Sequence, residues 1–309
     1  MSMTRYAISR LIATIPTLIV LTIVVFLMLQ LVPGDPAEIF LGEKRSTPEL
    51  LEQVRHDMGL DRPLYIQYLS YMGNVVRGDL GTSLFNNQPV VGQIVTALPY
   101  TLTLALSALL ISTVLGVGLG IISALKHNTW IDSLAMGFAL LGVSMPVFWL
   151  SMLLILLFSV NLKWFPPMGQ GSLDRLVLPA LALGLLSSAT LARLVRSSML
   201  DVLSDDYIRT ARAKGLRRNT VVIRHALRNA LIPAVTVMGL QFGGLISGAV
   251  ITETIFARVG LGRMYVESIL NKDITMIQGL TLVLAIIIMS INILVDLSYA
   301  VLDPRIRYE

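Results

Sequence analysis

Long apolar runs separated by short charged segments dominate the chain. Six stretches, 11–34, 99–125, 133–162, 176–192, 229–252 and 274–295, contain no Asp, Glu, Lys or Arg. A helix crossing the hydrocarbon of a bilayer needs about 20 apolar residues, with a working range of about 17 to 25. The spacing therefore predicts six transmembrane helices and an all-α, polytopic membrane protein. Arg5 and Arg10 ahead of the first run resemble the start of a signal peptide. A signal core, however, runs about 7 to 15 residues and ends in small side chains. This run covers 24 positions and ends in Leu31-Val32-Pro33-Gly34, so it reads as an uncleaved first helix.

Composition agrees. The 309 residues are 55% hydrophobic and 14% charged, whereas soluble globular chains are about one-quarter charged. The absence of cysteine excludes a disulfide-stapled module. Lys and Arg accumulate on the cytoplasmic side of membrane proteins. Of the 24 here, 14 fall in segments 1–10, 126–132, 193–228 and 296–309, which puts both termini in the cytoplasm. The net charge of +5 then reflects a basic cytoplasmic surface, and no nucleic acid is needed to explain it. The chain divides into a tail and first helix (1–34), an extracytoplasmic segment (35–98) and a five-helix core (99–309) with a cytoplasmic loop at 193–230.

The outer segment has eight acidic and five basic residues and helix-like pieces at 48–58 and 63–76. Thr47 before Pro48 marks a helix start. Gly78-Asp79-Leu80-Gly81-Thr82-Ser83 reads as a loop. A cap over helix ends and a docking surface for another protein fit this segment equally. The inner loop holds nine basic residues. Asp201, Asp205 and Asp206 precede a short helix at 207–214, with Arg212 and Lys214 in its last turn, as the helix dipole favours. Gly215 ends it, and a second helical piece follows at 221–227. From these features alone, a basic loop lying on anionic lipid competes with a specific protein contact.

The string Asp206-Tyr207-Ile208-Arg209-Thr210-Ala211-Arg212-Ala213-Lys214-Gly215-Leu216, followed by His225-Ala226-Leu227-Arg228-Asn229-Ala230-Leu231-Ile232-Pro233, resembles the cytoplasmic coupling loop of peptide-type ABC importer permeases. The resemblance extends to Val32-Pro33-Gly34-Asp35-Pro36, the 78–83 loop, Glu253-Thr254-Ile255-Phe256, Gly260-Leu261-Gly262-Arg263 and Asp303-Pro304-Arg305-Ile306-Arg307. It thus covers nearly the whole chain. Arg209 stands where many permeases have an acidic residue, and Val259 where this branch often has proline. The resemblance implies a type I importer permease in the inner membrane, for dipeptides, oligopeptides, glutathione, opines or nickel chelates. It also implies a second homologous permease, two cytoplasmic ATPases that carry ATP and Mg, and an extracytoplasmic solute-binding protein docking on 35–98 and 253–273. Carried over by position, the helix at 207–214 would enter a groove of the ATPase, Gly215 would be its turn, and His225, Leu227, Arg228 and Asn229 would belong to the link to the fifth span.

Two absences fit that implication. No Gly-x-x-x-x-Gly-Lys-Ser/Thr string occurs, so the expectation is a chain with no catalytic residue and no cofactor or metal of its own. No charged residue lies inside the six stretches, which argues against a proton-coupled carrier. A carrier or channel working without an ATPase is the alternative. An intramembrane enzyme is disfavoured because His56, His127 and His225 lie in separate segments with no evident carboxylate partner. Ser144, Thr236, Gln241 and Ser247, with Met145 and Pro146 as a kink in the third span, are candidates for the passage. Helix-to-helix hydrogen bonding explains the polar ones as well. Gly116/Gly120, Gly239/Gly243 and Gly244/Gly248 have the spacing of close helix contacts, either internal or toward the second permease.

Overall fold

The computed structural model describes residues 3–31, 37, 41, 47–57 and 59–302. The 32–36 and 303–307 motifs lie outside them. The described residues are overwhelmingly helical and include no strand beyond an isolated bridge between Thr82 and Pro89. In order, the helices are α1 (Met3–Leu31), α2 (Pro48–Asp57), α3 (Leu64–Val76), α4 (Val90–Leu125), α5 (Trp130–Ser144) and α6 (Val147–Asn161). There follow α7 (Asp174–Ser204), α8 (Asp206–Ala213), α9 (218–230, with a π-wound turn at Val221–Ala226), α10 (Ile232–Ile255), α11 (Leu261–Leu270) and α12 (Ile274–Leu302).

Among the described residues four helices, α4, α7, α10 and α12, are long and apolar enough to cross a membrane. Helices are required there because hydrocarbon offers no partner to unpaired backbone groups. α1 carries the first uncharged run from Leu11 onward, of which Ile12–Met28 is an apolar helical stretch among the described side chains. The expected third span is not one kinked helix: α5 and α6 are separate and bent by 108°. Met145 (φ −95, ψ 132) and Pro146 (φ −60, ψ 140) are both extended. A residue before proline is driven out of the helical region by the ring, and proline donates no hydrogen bond across the break. Among the described residues, four of the six expected spans thus stand, or five if the bent pair counts as one. α4 also begins at Val90, upstream of the predicted start at Pro99, and carries that proline within the helix.

The chain forms two compact units, Tyr100–Gly262 with Ile291–Glu309, and Ser2–Pro99 with Arg263–Ser290. In the first, α7 is the hub, packed by α5, α6 and α10. Glycines allow this closeness. A Cβ on Gly116 would stand 2.8 Å from Leu191 and from the Ser188 carbonyl, and one on Gly120 2.7 Å from Val195 and from the Ala192 carbonyl. The Gly116/Gly120 pair is therefore internal, and Gly239, against Val295, is too. Gly244 has nothing within 4 Å.

In the second unit Phe26 packs edge-on to Tyr68 at 5.5 Å, and Gln278 Nε2 donates to the Val25 carbonyl at 3.1 Å. Asp273 accepts from Met276 N at 3.1 Å, capping the start of α12. The same carboxylate accepts from the Ser83 hydroxyl and from Leu84 N, so it also pins the end of the 78–83 loop. Within that loop Gly78 (φ 79) and Gly81 (φ 81) take left-handed conformations, and Asp79 accepts from Gly81 N at 2.8 Å.

Candidate functional site

The loop expected on the cytoplasmic side is built from α8 and α9. On α8, Ile208 (0% exposed) and Ala211 point inward, three residues apart on one face. They join a cluster with Ala124 at the end of α4, Val195 and Met199 near the end of α7, Val221, Val222 and Ala226 of α9, and Ala234 near the start of α10. Full burial of an isoleucine is worth about 1.5–3 kcal/mol. The helix is thereby fastened to the ends of three long helices. Its other face is open: Asp206, Tyr207, Arg209, Thr210, Arg212, Ala213 and Lys214 are exposed. The 3.6 Å ion pair of Arg209 with Asp206 is solvated and contributes little.

The end of α8 is a Schellman turn. Gly215 N donates to the Arg212 carbonyl at 3.0 Å and Leu216 N to the Ala211 carbonyl at 3.4 Å. Gly215 has φ +77 with nothing within 4 Å of a Cβ, so backbone conformation rather than space demands glycine. Tyr207 ties α8 to α9: Asn229 Nδ2 donates to its hydroxyl at 2.8 Å, and that hydroxyl lies 3.4 Å from the His225 carbonyl. The structure therefore joins Tyr207, His225 and Asn229, which are far apart in the string. Leu227 packs against the buried cluster, while Arg228 is exposed.

The passage candidates separate into groups. Gln241 is committed internally: it donates to the Ser187 carbonyl at 3.0 Å, with the Ser112 hydroxyl 3.5 Å from its Oε1. Thr236 and Ser247 share one face of α10 with Leu240, Gly244 and Ile251, positions spaced three and four apart, and all of these except the half-buried Thr236 are exposed. Ser144 donates to the Leu140 carbonyl beside the Met145-Pro146 break.

Two polar clusters have contacts that the sequence did not reveal, the second among residues legible only as motifs. Asp132, 4% exposed, takes a paired contact from Arg196 (2.8 Å from both Nε and Nη2) and bonds from the Ser123 hydroxyl and Asn128 N. His127 Nδ1 lies 3.3 Å from the same carboxylate, and His56 Nδ1 lies 2.8 Å from Asp61. The expectation that the histidines lack carboxylate partners is thus corrected for these two; both pairs are short local turns that periodicity does not reveal. The hydrogen bond with His56 holds Asp61 below the usual carboxylate range.

The second cluster lies at the C-terminal end of α10. Glu253, fully buried, accepts from the Thr101 hydroxyl at 2.6 Å and from Gly262 N at 2.8 Å, while Leu261 N donates to Thr101. A Cβ on Gly260 would collide with the Glu253 carboxylate, and one on Gly262 with the Val250 backbone. Gly260 has no room for a side chain because a buried carboxylate stands against it, and Gly262 because the α10 backbone does. Arg258 is buried beside them, and that burial pulls its guanidinium below its ordinary range, with Glu253 opposing.

Residues 116–308 match the family described as binding-protein-dependent transport system inner membrane component, and residues 3–105 match the N-terminal component of such systems. The chain is 44% identical to the glutathione transport system permease protein GsiC of Escherichia coli O6:H1, over 99% of this chain and all of that one. It is 42% identical to the dipeptide transport system permease protein DppB of Alkalihalophilus pseudofirmus, again over 99% of this chain and all of the relative. Among solved structures, the inward-facing MetNI methionine ABC transporter superposes with a TM-score of 0.60 at 17% identity, covering 68% of this chain and 96% of that one. An amino acid ABC transporter superposes at 0.53 with 15% identity, covering 68% of this chain and 94% of that one. These structural likenesses establish the type I importer permease fold, and the sequence matches establish that the chain belongs to the inner-membrane permease component family of binding-protein-dependent ABC importers.

Proposed function

We propose that this permease carries short peptides, glutathione or similar small solutes inward, paired with a second homologous permease and driven by two cytoplasmic ATPases that bind ATP and Mg. An extracytoplasmic binding protein delivers the solute to 35–98 and 253–273. The substrate class rests on the full-length likeness to relatives named for glutathione and dipeptide transport.

One observation carries the coupling role: α8 is sealed by Ile208 and Ala211 to the ends of α4, α7 and α10 while its polar face is open. A short helix held on one side and free on the other passes rigid-body motion from a partner to the spans. When the ATPase pair closes on ATP, α8 and α9 move together through the Tyr207–Asn229 contact, and the ends of the three helices follow. The solute then passes along the Thr236, Leu240, Gly244, Ser247 face of α10, which turns toward the second permease. Gln241, spent on internal bonds, positions α10 instead.

The test is uptake of labelled dipeptide and of glutathione by the four-subunit complex with its binding protein in sealed vesicles. Uptake that needs ATP and every partner is expected. Uptake by this chain alone would favour the carrier reading.

A further inference from the structure

In the second unit α3 has three distinct sides. One is held by α1: the Thr22 hydroxyl gives its hydrogen to the Ile19 carbonyl, so the Tyr68 hydroxyl donates to Thr22 at 3.0 Å, and the Phe26 ring lies 5.5 Å from that of Tyr68 and 6.1 Å from that of Tyr71. A second side carries Gln67, Ser70 and Asn74, spaced three and four apart. They border a cavity of about 250 Å3 whose lining includes exposed Arg62 and Asp79, so this side faces water. The third side carries Tyr65 (67% exposed), Leu69 (65%), half-buried Met72 and Val76 (80%), again spaced three and four apart. No charge occurs in the 13 residues of α3, while Arg62 and Arg77 flank it.

Depth decides what covers the apolar side. Gln278 lies one turn past Ile274, the start of α12 and of its uncharged run, and its Nε2 donates to the Val25 carbonyl. Val25 and Phe26 therefore stand level with the first turn of a membrane-crossing helix, and α3 packs on Phe26. Beside that contact α1 exposes Ile23 and Leu27, side chains suited to lipid. A water-borne protein would have to reach below the headgroups to meet Leu69, where acyl chains already stand. An uncharged helix with one apolar and one polar face, tyrosines on it and a basic residue at each end has the pattern of a helix lying in the membrane interface. We propose that α3 is such an interfacial helix, with Tyr65, Leu69, Met72 and Val76 in the lipid of the leaflet at the start of α12, the outer one in the orientation read from the basic residues. This deepens the docking reading of 35–98, on whose sidedness it rests, by withholding this face of α3 from the binding protein.

The test is quenching of a fluorophore on single cysteines, since the chain has none of its own. Leu69→Cys and Val76→Cys report the apolar side, Asn74→Cys the polar side and Ile23→Cys the exposed face of α1, all exposed positions that a label reaches without disturbing the fold. Each is labelled in the complete transporter, its partners free of reactive cysteine, and reconstituted without binding protein into phosphatidylcholine vesicles. Acyl-brominated phosphatidylcholine is expected to quench most of the fluorescence at 69 and 76 and aqueous iodide little of it, with the reverse at 74; an interfacial helix sinks its apolar face about 5–10 Å below the boundary. Iodide quenching at 69 equal to that at 74 overturns the proposal. So does a label at 69 that neither quencher reaches, which is covered by protein, and so does iodide protection that appears only when binding protein is added, which gives the face to that partner. Brominated lipid that quenches at 23 but not at 69 overturns the interfacial helix alone. Quenching at neither position overturns it together with α1 as a span. The readout involves no solute, so a failed uptake assay leaves it standing.

Discussion

Replacing Gly215 separates backbone conformation from bulk at the end of α8. Gly215 sits at φ +77, where an L side chain costs about 1–2 kcal/mol, and a Cβ there meets nothing within 4 Å. The full penalty is therefore conformational. Gly215→Ala is expected to cost about 1–2 kcal/mol, Gly215→Val at least the upper value because a β-branched residue tolerates this region worst, and Gly215→Asn only a few tenths to about 1. At 1.4 kcal/mol per tenfold, about 5- to 30-fold of the population with the native Schellman turn is lost in the alanine variant. The turn is local, so the chain stays folded and inserted. ATP-driven uptake by the reconstituted complex, measured with ATPase turnover, is expected to fall in the order Gly, Asn, Ala, Val, with ATP hydrolysis persisting while uptake falls. Equal uptake for all four, or a ranking by side-chain volume that puts Asn below Ala, would refute the reasoning.

Asp132→Ala leaves Arg196, 26% exposed, without its carboxylate, and losses for a broken buried pair run about 3–5 kcal/mol, toward the lower end for a partly wet guanidinium. A lowered melting temperature in detergent is expected, whereas Asp206→Ala, which breaks only a solvated pair, should leave it unchanged. Glu253→Ala removes the acceptor of Gly262 N and of the Thr101 hydroxyl, so trypsin should cut at Arg258, which is buried in the native loop; an unaltered digestion pattern would contradict the clamp. Gly120→Leu must displace Val195 and the Ala192 backbone and is expected to lower thermal stability of the chain by itself. Gly244→Leu meets open space, so it should leave that stability intact and, if this face meets the proposed second permease, reduce uptake or pairing.

Much of this architecture was legible because a bilayer leaves its mark as uninterrupted apolar stretches, and α4, α7, α10 and α12 lie where those stretches are. The break at Met145-Pro146 was visible as a proline, but a kink and a 108° turn share the same composition. Which glycine pair faced inward depended on the neighbour across each helix: Gly120 meets Val195, 75 positions away, and Gly244 meets nothing. The α8 boundaries were readable from the acidic start, basic end and Gly215. Its inward face was not, since Ile208 and Ala211 are ordinary residues until Val195 and Val222 are placed beside them. The Asp132 cluster and the buried role of Glu253, which the sequence offered only as part of a motif, were not legible because their partners Arg196 and Thr101 are distant in the chain.

The central claim is that α8 is gripped by an ATPase. The chain has no cysteine, so Arg209→Cys and Lys214→Cys each place one thiol on the open face of α8 and nowhere else. Bifunctional maleimide treatment of the complete transporter, with cysteines in the ATPase, is expected to link this chain to an ATPase subunit, with a yield that changes when ATP is added. No adduct from either position in an assembly shown to hydrolyse ATP would contradict the account.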